Sequence, residues 1–414
     1  MIQMNRSKSR TRNQELKPTP ALTNSKWQLR SKVYNDEGSV LKSFILKDYT
    51  NHHVQSFSSL LINNRFIKSG FFQQSKSISL GIDLSQNQCV LIKEEMIQLN
   101  VQCQLHHEYE MYNQLTDTIG IPKIYDYYHN DYIRFLTMEL LGPNLNELMI
   151  QNGGRFGLKT VYMIGLSLLD ILESIHLQSL SHNFLTPGNI VINNCLLNNS
   201  QNRSNLYLTN FSYANIKSPI STMKNRDHLL ETLEFSSAST HENGHCNYQG
   251  DLESLCFLLS YFLYGTLPWS QYMKNLTSQN IDIIIQFKLS CNGKSLFGEN
   301  HDELKLMFQY AKHLKVDEKP RYNYLKILLL RGLKRIGECN DHVYDWNVLM
   351  NRELRTLQLN NSMMDQIEGD SNAHRSVSIP RSSKLSFRLS QTFKKLTLER
   401  SFWFGSRLKT SKFH

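Results

Sequence analysis

The stretch "SHNFLTPGNI", residues 181–190, decides how this chain is read. It joins two different patterns. Before it runs "LKTVYMIGLSLLDILESIHLQ" (158–178), apolar nearly all the way round at helical spacing, which belongs inside a core. After it come "NIVINN" (189–194) and "LYLTNF" (206–211), short apolar runs that read as a pair of strands. A polar loop carrying His182, Pro187 and Asn189 therefore lies between a buried helix and a small sheet.

Working outward, "RFIKSG" (65–70), "SKSISLGIDL" (75–84) and "CVLIKEE" (89–95) alternate like strands of an antiparallel sheet. "QLHHEYEMYNQL" (104–115) follows at helical spacing, and "YIRFLTMELLG" (132–142) reads as a strand running to Gly142. Downstream, "DLESLCFLLSYFLYG" (251–265) is a second buried helix, with Pro268 in "TLPW" as its stop. It is too short an apolar run to span a bilayer. A small sheet-rich part followed by a larger helical part is α+β.

The 414 residues carry a formal net charge of +10, but unevenly. Residues 1–32 hold eight basic residues against Glu15, and residues 371–414 hold ten against Glu399. Those ends account for +7 and +9, which leaves −6 for residues 33–370. Basicity is thus a property of two polar tails and not of the domain. The seven cysteines are scattered with no C-x-x-C pair, so neither a disulfide framework nor a zinc site is expected, and the chain reads as intracellular, cytoplasmic or nuclear. The charged N-terminus has no apolar run of the signal-peptide kind.

Five blocks now stand in a fixed order: "MELLGPNLNEL" (138–148), "RFGLKTV" (155–161), "DLESLCFLLSYFLYGTLPW" (251–269), "DEKPRYNYL" (317–325) and "VYDWNVL" (343–349). Together they resemble the casein kinase 1 family of serine/threonine protein kinases, over roughly residues 60–350. The resemblance implies a bilobal kinase fold. Its parts would be a basic extension (1–59), a small antiparallel N-lobe (60–137), a mainly helical C-lobe (138–351) and a basic Ser-rich tail (352–414).

It also implies where phosphoryl transfer would be carried out, and several of those positions are changed. Lys93 in "CVLIK" matches the nucleotide lysine and Glu108 its helix partner. The Gly-rich loop keeps only Gly70 and continues Phe71, Phe72, Gln73, Gln74, side chains that cannot replace glycine's backbone freedom. Leu91 stands where the family has a small alanine against the adenine, so it overfills that slot. With Lys93, Glu108, Glu139, Leu141 and Val191 it would line a degenerate nucleotide pocket.

In the quoted loop, Phe184 occupies the catalytic-base position and Thr186 the lysine position. A phenyl ring accepts no proton, and losing a general base costs about 10²–10⁴ in rate. Losing the charge of the lysine costs roughly 10²–10³ more. Asn189 keeps one metal-ligand position, but "LTNFSYA" (208–214) puts Asn210 where the metal aspartate belongs and Ser212 where a glycine does. Magnesium prefers carboxylates. The expectation is a catalytically impaired pseudokinase that scaffolds or regulates proteins and requires no cofactor; ATP and magnesium matter only if residual binding survives. The other reading is a weakly active kinase, favoured by Lys93, Glu108, Asn189 and Asp251.

One further segment, "LSFRLSQTFKKLTLERSFWF" (385–404), interleaves Arg388, Lys394, Lys395 and Arg400 with apolar residues. It reads as a basic amphipathic stretch suited to an anionic membrane or to docking on its own domain. No nucleic-acid motif accompanies the charge.

Overall fold

The computed structural model describes residues 32–33, 42–43, 60–71, 77–97, 103–193, 206–216, 230, 232–238, 240, 247–315 and 318–348. Most of both tails, residues 72–74 of the glycine-loop position and residues 217–229 after the "LTNFSYA" turn lie outside the described residues.

The fold is α+β. Its sheet has six strands: β1 (Leu60–Ile62), β2 (Phe66–Phe71), β3 (Ile78–Asp83), β4 (Gln88–Met96), β5 (Ile124–His129) and β6 (Ile133–Glu139), in the order β1-β2-β3-β4-β6-β5. Consecutive strands β1 to β4 pair antiparallel, with Leu61 opposite Ile67, Ile67 opposite Ile82 and Leu80 opposite Leu91. In β4 the alternation puts Val90 and Ile92 in the core, both fully buried, and leaves Leu91 and Lys93 half-buried on the other face. Asp83, fully buried, takes a two-pronged bond from Arg65, Nε at 3.0 Å and Nη2 at 2.6 Å. Burial pushes its carboxyl up, but the Arg65 and Ser85 bonds outweigh burial and hold it at about 2.

The strand expected to reach Gly142 stops at Glu139. By packing, β1–β4 and residues 128–137 form one compact unit, and 96–127 with 138 onward form another. Helix α1 (Gln104–Gln114) falls in the second, because its side chains bind the 210–214 turn there: His107 Nε2 lies 2.8 Å from the Ala214 carbonyl, and the Tyr112 ring packs on Phe211.

The helical unit continues with α2 (Leu145–Gln151), α3 (Leu158–Leu177), α4 (Tyr248–Tyr264), α5 (Ser278–Ser290), α6 (Gly293–Phe297), α7 (Asp302–His313) and α8 (Tyr322–Arg335). Asn144 opens α2 with a capping box, its side chain bonded to the Glu147 N–H and Glu147 returning to the Asn144 N–H. Among the described residues α3 alone is long and apolar enough to cross a membrane, yet most of it is buried, packed on α4 and α8, as a core helix is. Helix α4 ends before Pro268 is reached. Gly265 takes a left-handed conformation (φ 78°) and bonds back to Tyr261, so glycine and not proline supplies the stop. On α8, Gly332 faces the Tyr162 ring so closely that a Cβ there would sit 2.3 Å from Cζ.

Three elements are tied together by lysines that reach backbone carbonyls. Lys288 of α5 is fully buried and donates to the carbonyls of Leu233 and Ser236 (2.7 Å for the latter). Its ammonium lies 5.3 Å from the centre of the Trp269 ring and 5.5 Å from that of Phe257. Lys312 of α7 caps the end of α5 at the carbonyls of Leu289 and Cys291. Burial lowers Lys288 to about 7 and raises the neighbouring Glu253 to about 7, even though each charge favours the other.

Two outcomes follow from this packing. Gly332→Ala should cost about 1–3 kcal/mol through the forced shift of Tyr162, partly offset by better helix propensity, and a urea midpoint at or above the parent's would mean the ring moves at no cost. Glu253 holds a proton when folded that the unfolded chain releases between pH 4.5 and about 7, so its contribution to stability falls as pH rises through that window. Glu253→Gln carries no such proton. Its stability relative to the parent should therefore climb by roughly 1–3 kcal/mol from pH 4.5 to 7, and parallel denaturation curves would show that Glu253 stays ionised throughout.

Candidate functional site

Two short antiparallel ladders pin the loop that the sequence singles out. Strand β7 (Leu180–Ser181) pairs with β10 (Asn215–Ile216), and β8 (Ile190–Ile192) pairs with β9 (Leu206–Leu208). The loop 182–189 and the turn 209–214 are thereby held side by side. Val191 faces Tyr207 in the ladder and also bridges to Asn144 on its other side. The 140–144 segment, which carries the half-buried Leu141, is joined to β8 by Gly142 N–H to the Ile192 carbonyl (2.9 Å) and by Ile192 N–H to Pro143 (3.0 Å).

Beneath the loop lies the Asp251 carboxylate of α4, fully buried. Oδ2 accepts the His182 N–H at 2.7 Å and Oδ1 the Asn183 N–H at 2.8 Å. His176 Nε2 adds a third bond to Oδ2 at 3.0 Å, and its other nitrogen meets the Tyr322 hydroxyl. His182 is bonded through both ring nitrogens: Nε2 points at the Thr209 carbonyl (3.1 Å) and Nδ1 accepts the Phe184 N–H (3.2 Å). That pattern needs a neutral ring with its proton on Nε2. Burial, by lowering the imidazole below its ordinary value, favours the same form.

Asn183 sits in the left-handed region (φ 61°), which asparagine tolerates, and its amide donates to the carbonyls of Ser181 and Tyr213. The sequence reading overlooked it. Nothing in its neighbours signals that a short amide would bridge 30 residues to Tyr213.

Phe184 turns its ring edge-on to Tyr213, centroids 4.9 Å apart at 85°. At the position the resemblance gives to a base, two aromatic rings are packed together. Behind it runs a chain of amides. Asn189 Nδ2 donates to the Phe184 carbonyl (2.9 Å), Asn210 Nδ2 donates to Asn189 Oδ1 (3.3 Å), and Ser212 Oγ donates to Asn210 Oδ1 (2.7 Å). Both side-chain oxygens expected to face a metal therefore already accept a hydrogen bond. Both amides are neutral, whereas magnesium prefers carboxylates, so this donor set is a poorer fit for magnesium than one with an aspartate at position 210. Thr186 precedes the short 3₁₀ turn Pro187–Asn189, and its carbonyl accepts the Asn189 N–H.

Tyr112 of α1 is a second residue the sequence reading missed. Its hydroxyl accepts the backbone N–H of Asn210 at 3.0 Å. Burial first, and then the neighbouring carboxylate of Glu108, push its phenol well above the ordinary value. Glu108 is itself buried. An apolar-looking tyrosine at helical spacing gave no sign that it holds the metal-position asparagine by its backbone. Glu139, at the end of β6, exchanges bonds with Lys123: its N–H donates to the Lys123 carbonyl (2.8 Å) and its carboxylate accepts the Lys123 N–H (3.2 Å). Leu91 and Lys93 belong to the sheet unit, on the face of β4 opposite Val90 and Ile92, and Glu108, Glu139, Leu141 and Val191 to the helical one.

No family model matches the chain. Curated proteins do. Casein kinase I homolog 1 of Schizosaccharomyces pombe is 31% identical over 276 residues, 66% of this chain and 61% of that protein. Casein kinase I homolog 2 of the same yeast is 31% identical over 274 residues, 65% of this chain and 62% of that protein. The alignment therefore spans about three fifths of the yeast proteins. A probable casein kinase I homolog of Encephalitozoon cuniculi is 32% identical over 292 residues, 68% of this chain and 91% of that protein. Nine tenths of a relative is thus covered at that identity, by a chain with this α+β fold and this braced loop, and the chain belongs to the casein kinase I family.

Proposed function

We propose that this casein kinase I-like domain is catalytically impaired and works as a protein-binding scaffold or regulator. The observation that carries the reading is the closed chain Ser212–Asn210–Asn189–Phe184. It spends on internal hydrogen bonds the two side chains that a metal would need. Phosphoryl transfer depends on positioning and on charge opposite the moving phosphoryl group. Here the base position is a phenyl ring against Tyr213, the lysine position is Thr186, and the loop and turn supply no carboxylate from 181 to 190 or from 208 to 214. In this reading Lys93 and Glu108, each at the position the resemblance gives to the nucleotide lysine and its helix glutamate, serve the structure of their own units and not a nucleotide. The substrate-facing surface would then be used for binding alone.

A second reading, a weakly active ATP-dependent serine/threonine kinase, is favoured by the intact brace: His182, Asn183 and Asp251 keep the loop in one fixed shape. A thermal-shift titration with ATP, with and without magnesium, paired with a radiolabel assay on casein, separates the two. The expected result is no magnesium-dependent shift and no transfer. A shift without transfer would make the domain a nucleotide sensor, still non-catalytic. Transfer that vanishes in Lys93→Ala would sink the proposal.

Restoring charge gives a complementary check. Phe184→Asp with Asn210→Asp puts carboxylates at both positions, and magnesium should then raise the melting temperature measurably where it does not in the parent. If the parent responds to magnesium as strongly as the double variant, the amide chain is not what excludes the ion.

A further inference from the structure

Helices α7 and α8 run antiparallel and meet at two crossings: Arg335 lies 2.9 Å from the Glu303 carboxylate, and the Tyr310 and Tyr324 ring centroids are 5.5 Å apart. Between those crossings each helix leaves a large aliphatic side chain at the surface, Leu306 on α7 (44% exposed) and Ile327 on α8 (48%). Tyr324, Ile327 and Leu330 follow one another in three-residue steps, so one open side of α8 is apolar; Leu330 is 47% exposed. The inner face of the same helix is already buried through Leu325, Leu328 and Leu329, so the core does not need the outer stripe. A single exposed aliphatic is ordinary on a folded protein. Several on adjoining turns of two packed helices make a patch, and such patches mark contact surfaces.

Charge says what would cover it. Helix α8 contains four basic residues and no Asp or Glu. Lys326 is held by Asp170 and Glu173 of α3, and Arg335 by Glu303. Arg331 and Lys334 are exposed and take no ion pair among the described residues, and each lies one turn beyond an apolar residue of the stripe, Ile327 and Leu330 respectively. A second copy of the chain would bring the same two cations against themselves. The chain's own ends, residues 1–32 and 371–414, carry +7 and +9 and have the wrong sign too. A flat bilayer touches only the outermost atoms of a helix that α3 and α7 hold in place, whereas a third helix can lie along the groove that two packed helices leave between them. What fits is an amphipathic helix with aliphatic anchors at i, i+3 or i+4 and i+7, and with carboxylates beside them to meet Arg331 and Lys334.

We propose that the outer face of α7 and α8 is the docking surface for an acidic amphipathic helix of another protein. It gives the binding role proposed above a partner of stated chemistry, but it rests on its own residues, and a catalytically active domain would carry it equally. The probe is a fluorescein-labelled synthetic helix of about 20 residues, a leucine stripe flanked by glutamates, titrated into the full chain and read by anisotropy. It should bind roughly ten-fold or more tighter than a version with lysine for every glutamate, and than one of the same composition with its leucines dispersed around the helix. Ile327→Ser with Leu330→Ser should weaken it by roughly ten-fold or more, and so should Arg331→Glu with Lys334→Glu. All four side chains are exposed, and a melting temperature close to the parent's shows that the fold is kept; if the serine pair loses the fold, the charge pair decides. A benzoylphenylalanine in the peptide's stripe should cross-link to residues 306–334. Equal affinity of the three peptides, affinity indifferent to a folded pair of substitutions, or adducts elsewhere would overturn the proposal. So would another occupant: a dimer of the parent that the serine pair dissociates, a cross-link from benzoylphenylalanine at position 327 to the same chain's own tail, or pelleting with phosphatidylserine vesicles that the charge pair abolishes. The casein assay is read apart from these, since transfer with peptide binding intact overturns the impaired-kinase reading and leaves the docking surface standing.

Discussion

The Asp251 carboxylate is the interaction on which the site depends. It is a buried charge, and a buried charge is tolerated only when donors surround it. Here it has the N–H groups of His182 and Asn183 and the imidazole of His176. The first two fix the backbone where the loop leaves β7, and the third ties the brace to α3 and, through Tyr322, to α8. Remove the carboxylate and three donors are left in the interior without partners, each costing about 1–3 kcal/mol. The loop is therefore not held by the residues that chemistry would use. It is held by backbone groups, from below, by a helix that is buried for its own reasons.

That separation explains why the frame can survive when its contents change. Phe184, Thr186, Asn189 and Asn210 are all half-buried side chains projecting from a backbone set by two ladders and by Asp251. Substituting them alters no bond in the brace. The replacements also satisfy one another: an edge-to-face aromatic pair at Phe184 and Tyr213, and amide bonds through Asn189, Asn210 and Ser212. Polar groups in a half-buried cluster that are all bonded rigidify it.

The fold was legible in the sequence because it rests on periodicity. The all-round apolar pattern of 158–178 and 251–265 could only be core helices, and the short runs at 189–194 and 206–211 could only be a strand pair. The loop substitutions were legible too, since the residue type alone says that phenylalanine cannot take a proton. What was not legible were partners. Asn183 reaches Tyr213 and Tyr112 reaches Asn210 across 30 and 98 positions, and neither spacing carries a pattern. Lys288 reads as one more surface lysine on a helix, yet it is buried among carbonyls supplied by the chain 52 and 55 residues earlier. The α4 stop was misassigned to Pro268 for a local reason: a left-handed glycine ends a helix by conformation, and Gly265 alone leaves no bulky signature.

Charge gives a physical reason for the substituted state to be the restful one. Carboxylates at positions 184 and 210, both half-buried, would without a divalent ion beside them resist desolvation. Active sites of that kind are destabilised for the sake of function. With phenylalanine and asparagine in their place, the cleft needs no ion to be stable, and the loop frame can hold its shape with or without a nucleotide. A loop frame that keeps one conformation without a ligand would suit the proposed binding role, because a partner then binds without first ordering the loop. The same argument predicts the direction of a change in charge: each carboxylate placed at 184 or 210 should lower the stability of the empty domain and raise its dependence on a bound cation.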